Sequence, residues 1–545
     1  MNVPMDLTGD WHQATTLEEL AGGAVVFKSG RRQLAVFRLE TAGGPAVYAV
    51  DNRCPHEGFP LSEGTVDEEC QLTCNWHNWK FRLDDGQCLL GGDNLRRYEV
   101  RVEGDGTVLV DLSEPSVEQQ RAEILAGLRT AFRERDFGRI CREITRMHFS
   151  GSDPFDAVRE AIRWAHDRFE YGTTHAVAVA ADWVALARGY DDWERRLVCL
   201  AECVDHLAFD ALRHPEFAYA AASEAEFSSE AILEAIEAER REEAEGLVVR
   251  ALDDGLHFAD MRQAFVTAAL AHYNDFGHSL IYVQKSGELI ESLGAEIERW
   301  VLPALARTLV YATREDLVPE FAGYVETLGS LRSIEAAVDV DGDLDADALV
   351  GQGVRGCLAW TSDAISRFGI ERAEEIFEVL LAANARQMVF YDTAYQDAYD
   401  RPVNDSVGWL SFTHALTFSH AVHDVCRTEP QLWLEGLLQV ACFVGRNRRF
   451  QDAGIDAGAW RVADRREFLE GVHHVLLDHG LRDPIFSAHL VKTSLAIERE
   501  IDANGEPTCT WLLSGLNRFL NSPLKQKHVR RLARQAIDLV ARDHE

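Results

Sequence analysis

The chain has 545 residues, too many for one hydrophobic core, so its length predicts several folding units. Its formal net charge of −35 argues against binding to nucleic acid or to anionic membranes. The first residues lack a basic segment followed by an apolar run, and no run of about 18 apolar residues occurs, so we expect a cytoplasmic protein without a membrane span. Its eleven cysteines, an odd number, fit a reducing compartment better than a disulfide framework.

The first part of the chain has the pattern of β-strands. Between residues 24 and 112, short alternating runs are separated by turns that contain glycine, and these runs are "LAVFRL", "AVYAV", "YEVRV" and "TVLVDL". This pattern predicts a small antiparallel β domain.

Two Cys/His pairs lie within this β region, Cys54 with His56 and Cys74 with His77. Two thiolates and two imidazoles can hold a [2Fe-2S] cluster in which one iron takes the sulfur ligands and the other takes the nitrogen ligands. A structural zinc site is the alternative, because two Cys and two His also satisfy tetrahedral zinc. Zinc modules seldom carry C-x-H and C-x-x-H on two β loops, which favours the cluster.

The stretches "CPHEGFPLSEG", "CNWHNWKFRLDDGQ" and "YEVRVEGDGTVLVDL" resemble the Rieske family, in particular the ferredoxin-like domains of aromatic-ring oxygenase systems. The resemblance covers about residues 10–112. It implies a [2Fe-2S] cluster that transfers one electron at a time, with the two histidines near the exposed edge. The cluster-binding residues that it implies are Cys54, His56, Cys74 and His77.

Two differences from the Rieske pattern bear on this interpretation. Respiratory members carry an additional disulfide at the positions of Phe59 and Trp76, so the chain is similar to the oxygenase type of lower potential. Asn78 stands where related domains often have glycine. We expect Cys70 and Cys88 not to be ligands.

Helical patterns begin after "SEPSVEQ". Ser116 and Gln119 form a capping box, and apolar residues then recur at helical spacing. We predict a multi-domain α+β protein with a Rieske domain over 1–114, a connecting helix over 115–150 and a large all-α domain over 151–545.

The helical part contains a predicted internal duplication. "YVQKSGELIE" at 282–291 aligns without a gap with "HLVKTSLAIE" at 489–498, which pairs Lys285 with Lys492 and places His272 opposite His479. The repeats would span about 151–338 and 350–545, with the acidic segment 339–353 as a solvated linker. Such a duplication suggests two helical halves around a central site.

No Asp/Glu-x-x-His-x4-His iron motif occurs in the sequence. The nearest stretch, "AECVDHLAFDALRH", has the wrong spacing and is predicted to be one continuous helix with a polar face. Four other stretches place histidines in apolar helices, where each one alone is usually a hydrogen-bonded core residue. His414 and His423 are nine residues apart, so a helix cannot direct both of them at one centre.

These four stretches resemble the questin oxidase-like family over about residues 155–500. The matching elements are "H-A" at His175, "H-x-L-I" at His278, "W-L-x-F-x-H-A" at His414 and "A-H-L-V-K" at residues 489 and 492. The family includes Baeyer-Villiger-type and ring-cleaving oxygenases that act on anthraquinone-like polyketides. The resemblance implies a mononuclear ferrous iron, O2 as co-substrate and, in some members, a carboxylated lysine. The metal-binding and catalytic residues that it implies are His175, His278, His414, His489 and Lys492.

A chemical argument for Lys492 is independent of the resemblance. Burial lowers the pKa of a lysine, and the neutral amine can add carbon dioxide to become an anionic oxygen ligand. A structural salt bridge from Lys492 is the alternative. The next candidates, as ligands or as acid/base groups beside the metal, are His272, His420, His423 and His479.

The sequence therefore predicts a Rieske-fused non-haem iron oxygenase of specialised metabolism. A reductase or a ferredoxin would supply electrons, and the substrate would be a small organic molecule, with an aromatic polyketide suggested by the family resemblance. Trp183, Trp360 and Trp409 either line the substrate pocket or pack in the core. Electron transfer within one chain or between subunits of a homo-oligomer agrees with the sequence.

Two other functions remain open at this point. In the first, the chain is a redox sensor or electron-transfer protein whose helical part is a metal-free interaction domain. In the second, the helical part uses a metal for hydrolysis, which leaves the Rieske domain without a purpose.

Overall fold

A computed structural model describes residues 9–41, 44–212, 214–273, 275–332, 343–402 and 405–542. The chain divides into two compact units, Met1–Pro154 and Phe155–Glu545. Antiparallel strands dominate the first unit and helices the second, which confirms the fold class expected from the sequence.

The first unit contains three antiparallel sheets, with strand orders β1-β11-β10, β2-β3-β4-β9 and β5-β6-β7-β8. The strand β1, which precedes the predicted β region, pairs with β11 near the end of that region. The strands are β1 Trp11–Thr16, β2 Val25–Ser29, β3 Arg32–Thr41, β4 Gly44–Asp51, β5 Thr65–Val66, β6 Gln71–Thr73, β7 Lys80–Arg82, β8 Cys88–Leu90, β9 Arg97–Tyr98, β10 Val100–Val102 and β11 Thr107–Asp111.

The apolar residues of the alternating runs form two cores in this unit. One core surrounds Leu34, Val36 and Val110, and the other contains Leu72 and Phe81. The second core also includes the two cysteines of the Cys/His pairs, so the base of the predicted cluster site is part of a packed interior.

Two helices, α1 Val117–Glu134 and α2 Phe137–Phe149, complete the first unit. The capping box of Ser116 and Gln119 is confirmed. The segment predicted as one connecting helix contains two, because Arg135 adopts a left-handed conformation (φ 54°) that ends α1, and the Asp136 side chain caps α2.

A buried carboxylate attaches α2 to the β part of this unit. Asp93, which follows β8, is 2% exposed and forms ion pairs with Arg139, Arg142 and Arg146 of α2. The shortest of them joins Arg142 Nε to Asp93 Oδ2 at 2.6 Å. These contacts explain why α2 belongs to the β unit.

In its described residues the second unit consists of helices and short 3-10 turns, with an isolated β-bridge between Tyr391 and Gln451. Its helices are α3 Asp156–Ala165, α4 His175–Gly189, α5 Trp193–Ala211, α6 Ser229–Glu237, α7 Arg241–Asp253, α8 Phe258–Ala271, α9 His278–Leu293, α10 Glu298–Tyr311, α11 Gly323–Leu331, α12 Val354–Phe368, α13 Ala373–Phe390, α14 Ala394–Asp397, α15 Trp409–Thr428, α16 Trp433–Asn447, α17 Arg465–Leu477, α18 Pro484–Ala503, α19 Thr508–Leu520 and α20 Val529–Arg542.

Four of these helices form the centre of the unit. The helices α4 and α15 each pack against both α9 and α18, so the four make a closed ring. Their residues are buried on almost every side, as expected for helices whose sequences are apolar all round. Polar side chains on these helices therefore lie in a dry interior.

Three expectations from the sequence can be compared with the structure of the helical part. The stretch around His206 is not one continuous helix through His214, because α5 ends at Ala211. Residues 339–342 of the predicted linker lie outside the described residues. No helix in the described ranges is long and apolar enough to cross a membrane.

Candidate metal centres

The two Cys/His pairs of the first unit lie on loops with the same hydrogen-bond pattern. In the first loop, Cys54 N–H donates to the Phe59 carbonyl and Gly58 N–H donates to the Cys54 carbonyl, at 2.9 and 2.8 Å. In the second, Cys74 N–H donates to the carbonyl of Trp79 and Asn78 N–H donates to that of Cys74, at 2.8 and 3.0 Å. The loops thus present one Cys and one His each in matching positions.

Asn78 takes the conformation that glycine takes in the matching loop. Its φ is 62°, and the φ of Gly58 is 76°. Asparagine is among the few residues that adopt this left-handed region readily. The difference from the Rieske pattern at this position therefore leaves the shape of the loop intact.

The four predicted ligands come together at the tip of the two loops. Cys54 and Cys74 are 3% and 1% exposed, and the Nδ1 atoms of His56 and His77 are 3.1 Å apart. His77 is exposed and His56 is half-buried. Burial raises the pKa of the Cys54 thiol to about 11, so this thiol ionises at neutral pH only when a cation binds beside it.

Aromatic rings hold the two imidazoles. Trp79 stacks on His56 with 4.8 Å between ring centroids, and Trp76 stacks on His77 at 5.3 Å. Phe59 and Trp76 meet edge to face at 5.6 Å. An aromatic contact thus occupies the positions at which respiratory relatives are expected to carry a disulfide.

The other two cysteines of the β region lie apart from this tip. Cys70 Sγ is 3.8 Å from the hydroxyl of Tyr48. The Cys88 N–H donates to the Asn94 side chain. Their positions agree with the prediction that they are not ligands.

In the second unit, each helix of the central ring contributes one histidine to a common cluster. His175 and His278 are the first residues of α4 and α9, and His414 and His489 lie within α15 and α18. Successive Nε2 atoms are separated by 3.2 Å (175 to 278), 2.9 Å (278 to 414) and 3.3 Å (414 to 489). The structure therefore brings together the four histidines that the sequence places in separate stretches.

The tautomers of two of these histidines follow from their hydrogen bonds. His414 Nδ1 lies 2.6 Å from the carbonyl oxygen of Leu410, and His489 Nδ1 lies 2.8 Å from that of Ile485. A carbonyl only accepts, so each Nδ1 carries the hydrogen and each Nε2 carries a lone pair. Two lone pairs thus face each other at 3.3 Å, which is unfavourable unless a cation lies near both.

The neutral charge of the buried histidines in the four-histidine cluster also favours metal binding. Burial lowers the pKa of His175, His414 and His489 well below the usual value, so these imidazoles are neutral at pH 7. Two nitrogen ligands that each lie about 2.0–2.1 Å from a metal, with an N–metal–N angle of about 90°, are about 3 Å apart. Successive Nε2 atoms of the four histidines have this separation. The donor set therefore fits a metal ion that imidazole binds, which includes zinc, copper, iron and nickel.

Lys492 lies on α18, one turn after His489, and is 1% exposed. Its Nζ has no hydrogen-bond partner among the described residues. Burial lowers its pKa to about 8, so a minor fraction of the amine is neutral near physiological pH. The salt bridge considered as the alternative role is not formed in the described part of the chain.

The aligned lysine, Lys285, has the opposite environment. Its Nζ lies 2.8 Å from Asp182 Oδ1 and 2.9 Å from Glu288 Oε2. Burial alone would lower the pKa of Lys285, but these two carboxylates outweigh it and raise the pKa. Lys285 is therefore a paired ammonium, whereas Lys492 is unpaired and loses its proton more easily.

The other candidate histidines bind carboxylates. His420 and His423 each donate from Nδ1 to Glu500, at 2.6 and 2.8 Å. His272 lies 2.8 Å from Asp316 and 2.9 Å from Glu237, and His479 lies 3.4 Å from Glu202. None of these four belongs to the four-histidine cluster.

A cavity of about 370 Å³ adjoins the cluster at His175. Its lining residues come from the start of α4, the end of α5 and the start of α18, and are His175, Ala176, His206, Phe209, Asp210, Asp483, Pro484, Ile485 and Ala488. The three tryptophans considered as pocket residues are absent from this lining. The volume is within the usual range for small-molecule sites, which is about 300–1,000 Å³.

Sequence reasoning missed His206 as a site residue. It belongs to the stretch rejected as an iron motif, but it lines the cavity and lies 3.0 Å from Glu202, one turn earlier on α5. The i, i+4 spacing of Glu202 and His206 was the signal that could have identified this pair.

Comparisons with known proteins identify the first unit. Residues 10–99 match the model of the Rieske [2Fe-2S] domain family. The 3-phenylpropionate/cinnamic acid dioxygenase ferredoxin subunit of Escherichia coli (strain K12) is 37% identical over 81 residues, which are 14% of this chain and 74% of that protein. A protein of Mycobacterium tuberculosis (strain CDC 1551 / Oshkosh), named as a Rieske 2Fe-2S iron-sulfur protein, is 48% identical over 50 residues, 9% of this chain and 10% of that one.

Part of the chain is also similar to a solved structure. The ferredoxin of carbazole 1,9a-dioxygenase from Nocardioides aromaticivorans IC177 is 27% identical, with a TM-score of 0.17, over 18% of this chain and 95% of that chain. The family match ends at residue 99, so the resemblance of the helical unit to the questin oxidase-like family stays a prediction. Through residues 10–99, the chain belongs to the Rieske [2Fe-2S] family.

Proposed function

We propose that this protein is an oxygenase in which a Rieske cluster supplies electrons to a mononuclear iron of the helical unit. The cluster ligands are Cys54, His56, Cys74 and His77. The iron ligands are His175, His278, His414, His489 and carboxylated Lys492. When bound, the cluster supplies electrons one at a time, and ferrous iron supplies an open coordination position at which oxygen is activated.

One observation carries the proposal: four imidazole Nε2 atoms converge in a dry bundle, and two of them are fixed as lone-pair donors. Burial keeps the imidazoles neutral and ready to bind a cation. Iron is favoured over zinc, since zinc has no redox chemistry and the domain joined to this unit is an electron-transfer domain.

The residues around the four histidines hold these side chains in position. The carbonyl groups of Leu410 and Ile485 fix the ring orientation of His414 and His489, as outer hydrogen bonds do for histidine ligands in general. The Tyr282 hydroxyl lies 3.3 Å from Nδ1 of His175. The cavity adjoins the site at His175, whereas His414 and His489 are buried in the helices behind it.

The partners follow from the Rieske relatives. One relative is the ferredoxin subunit of a dioxygenase, so we assign the first unit the same task, to pass electrons from a separate reductase or ferredoxin to an oxygenase site. We assign residues 1–114 to this task and the residues after 150 to catalysis on a small organic substrate. The free cysteines suit the reducing cytoplasm.

Nitric oxide tests the proposal, because it binds ferrous iron with an open position and gives a paramagnetic signal. We expect this signal in the reduced wild-type protein and expect His489→Ala to abolish it while the visible spectrum of the cluster is unchanged. The matched control is His423→Ala, which removes a histidine of the same ring of helices that binds Glu500.

Two results would refute the proposal. One is the absence of the signal from wild-type protein whose cluster is intact. The other is a signal of full intensity in His489→Ala. Loss of the signal in both variants would indicate that the helical unit was disrupted, and unfolding measurements on each variant identify that case.

A further inference from the structure

The last helix, α20, is attached to the rest of the helical unit through its polar side. Arg531 is 7% exposed, and its guanidinium donates to the carbonyl groups of Tyr395 and Ala398, the second at 2.9 Å from Nε. One turn later, Gln535 Nε2 donates to Ser406 Oγ at 2.7 Å. Hydrogen-bonding side chains thus fix the orientation of α20 on the unit.

The other side of α20 is apolar and faces solvent. Its large apolar side chains are 52% to 68% exposed, and they are Val529, Leu532, Ile537, Leu539 and Val540. Ala533 and Ala536 are exposed among them. With 3.6 residues per turn, these residues form one side of the helix that is about 160° wide. An amphipathic surface helix normally turns its apolar side to the core, so α20 has the reverse orientation.

The apolar side of α20 has the residue spacing at which helices pair. Successive members are separated by three, four and three residues, and they are Val529, Leu532, Ala536 and Leu539. This is the heptad spacing of a seam between two helices that pack side by side. Arg530 stacks on Tyr399, with 3.4 Å from its guanidinium carbon to the ring centroid, so its charge is directed away from the seam. The seam therefore fits a second helix of the same kind.

The charges of the chain favour a second copy of this helix over a lipid surface. Basic residues lie at and before the start of α20, at Lys525, Lys527 and Arg530, and Asp538 lies near its end. Antiparallel pairing brings the basic start of one helix beside the acidic end of the other, whereas parallel pairing places like charges together. The net charge of −35 opposes approach to an anionic membrane.

We propose that α20 pairs with α20 of a second copy of this chain, antiparallel and across a two-fold axis. Leu532 and Leu539 of each copy form the centre of the contact. Each helix is about 21 Å long, and one side of it offers less than the roughly 800 Å² per partner of a standard interface, so we expect a reversible dimer with a micromolar dissociation constant. Neither the cavity nor the histidine cluster includes a residue of α20, so this contact does not depend on the proposed function.

Sedimentation equilibrium of the full, cluster-containing chain tests this contact. We expect the wild-type protein to change from monomer to dimer as its concentration rises. Leu532→Glu should weaken the dimer by at least about 100-fold, because the two-fold axis places the buried charge in both copies. The matched control is Leu317→Glu, which changes a leucine outside α20 that is 75% exposed and should leave the equilibrium unchanged. Both leucines are exposed in the single chain, so both variants should fold.

A photo-cross-linking side chain in place of Val529 tests the orientation of the pair. In an antiparallel pair this side chain lies beside the end of the second α20, so we expect covalent dimers joined to the tryptic peptide 535–542. In a parallel pair it would instead be joined to the peptide 528–530. Mass spectrometry of the isolated covalent dimer distinguishes the two peptides.

Three results would overturn the proposal. They are a wild-type protein that is monomeric at every concentration, a dimer that Leu532→Glu leaves intact, and a cross-link to the peptide 528–530. Monomeric wild-type protein that binds vesicles of phosphatidylglycerol would also overturn it and would assign the apolar side of α20 to a lipid surface.

Discussion

Two buried lysines at aligned positions differ in their partners, and this difference separates a structural group from a candidate ligand. Lys285 is paired with Asp182 and Glu288, while Lys492 has no partner among the described residues. An ammonium held by two carboxylates cannot add carbon dioxide, because it has no free electron pair. Only the amine of Lys492 is available for that reaction.

Replacing each lysine by methionine should change the stability by very different amounts. Lys492→Met removes an unpaired polar group, so we expect the free energy of unfolding of the metal-free protein to change by less than about 1 kcal/mol. Lys285→Met leaves the fully buried Asp182 without its partner, so we expect a loss of about 3 kcal/mol or more. Urea unfolding of protein treated with a chelator measures both values.

The metal content of the same two variants completes this test. We expect Lys492→Met to retain less metal in the helical unit, whereas folded Lys285→Met should retain it. A large loss of stability in metal-free Lys492→Met would show that its amine is paired in the folded protein and would contradict its assignment as a ligand.

The sequence was informative about individual residues but could not show their convergence. It identified the four cluster histidines through short family-like elements, and it indicated that His414 and His423 cannot share a centre. It could not show that the carbonyl groups of Leu410 and Ile485 fix the tautomers, because that requires coordinates. It also missed His206, whose relevance depends on the cavity formed by three helices.

Among the secondary-structure elements, α2 is attached to the β part of the first unit by ion pairs. Three arginines of α2 face Asp93, which is almost completely buried. The sequence predicted helix after Pro115 from the capping box and the apolar spacing. It missed the break at Arg135, because arginine rarely adopts a left-handed conformation, and the local signal was the capping residue Asp136.

Removing the Asp93 carboxylate should destabilise the first unit. We expect Asp93→Ala to lower its free energy of unfolding by about 3 kcal/mol, because three guanidinium groups lose their shared buried partner. The control is Glu134→Ala, whose exposed carboxylate pairs with Arg139 at 3.8 Å and should contribute less than about 0.5 kcal/mol. Denaturant unfolding followed by the visible spectrum of the cluster reports on this unit, and equal effects of both changes would contradict the role of Asp93.

For the whole molecule, composition and pattern were enough to predict a β unit followed by a helical unit. Alternating runs and helical spacing are local properties, so they can be read without coordinates. The predicted duplication aligns Lys285, which lies on α9, with Lys492, which lies on α18. The two helices belong to the same ring, but the two lysines have different partners. Only one of the two aligned positions therefore carries an unpaired lysine, a difference that the sequence alignment alone could not show.

In the proposed function, one polypeptide holds two metal centres, a [2Fe-2S] cluster and a separate iron. The most direct test is the ratio of iron to acid-labile sulfide in protein purified and reconstituted without oxygen. The proposed function predicts three irons and two sulfides per chain. Two irons and two sulfides would contradict it and would leave a Rieske electron-transfer protein with a metal-free helical unit.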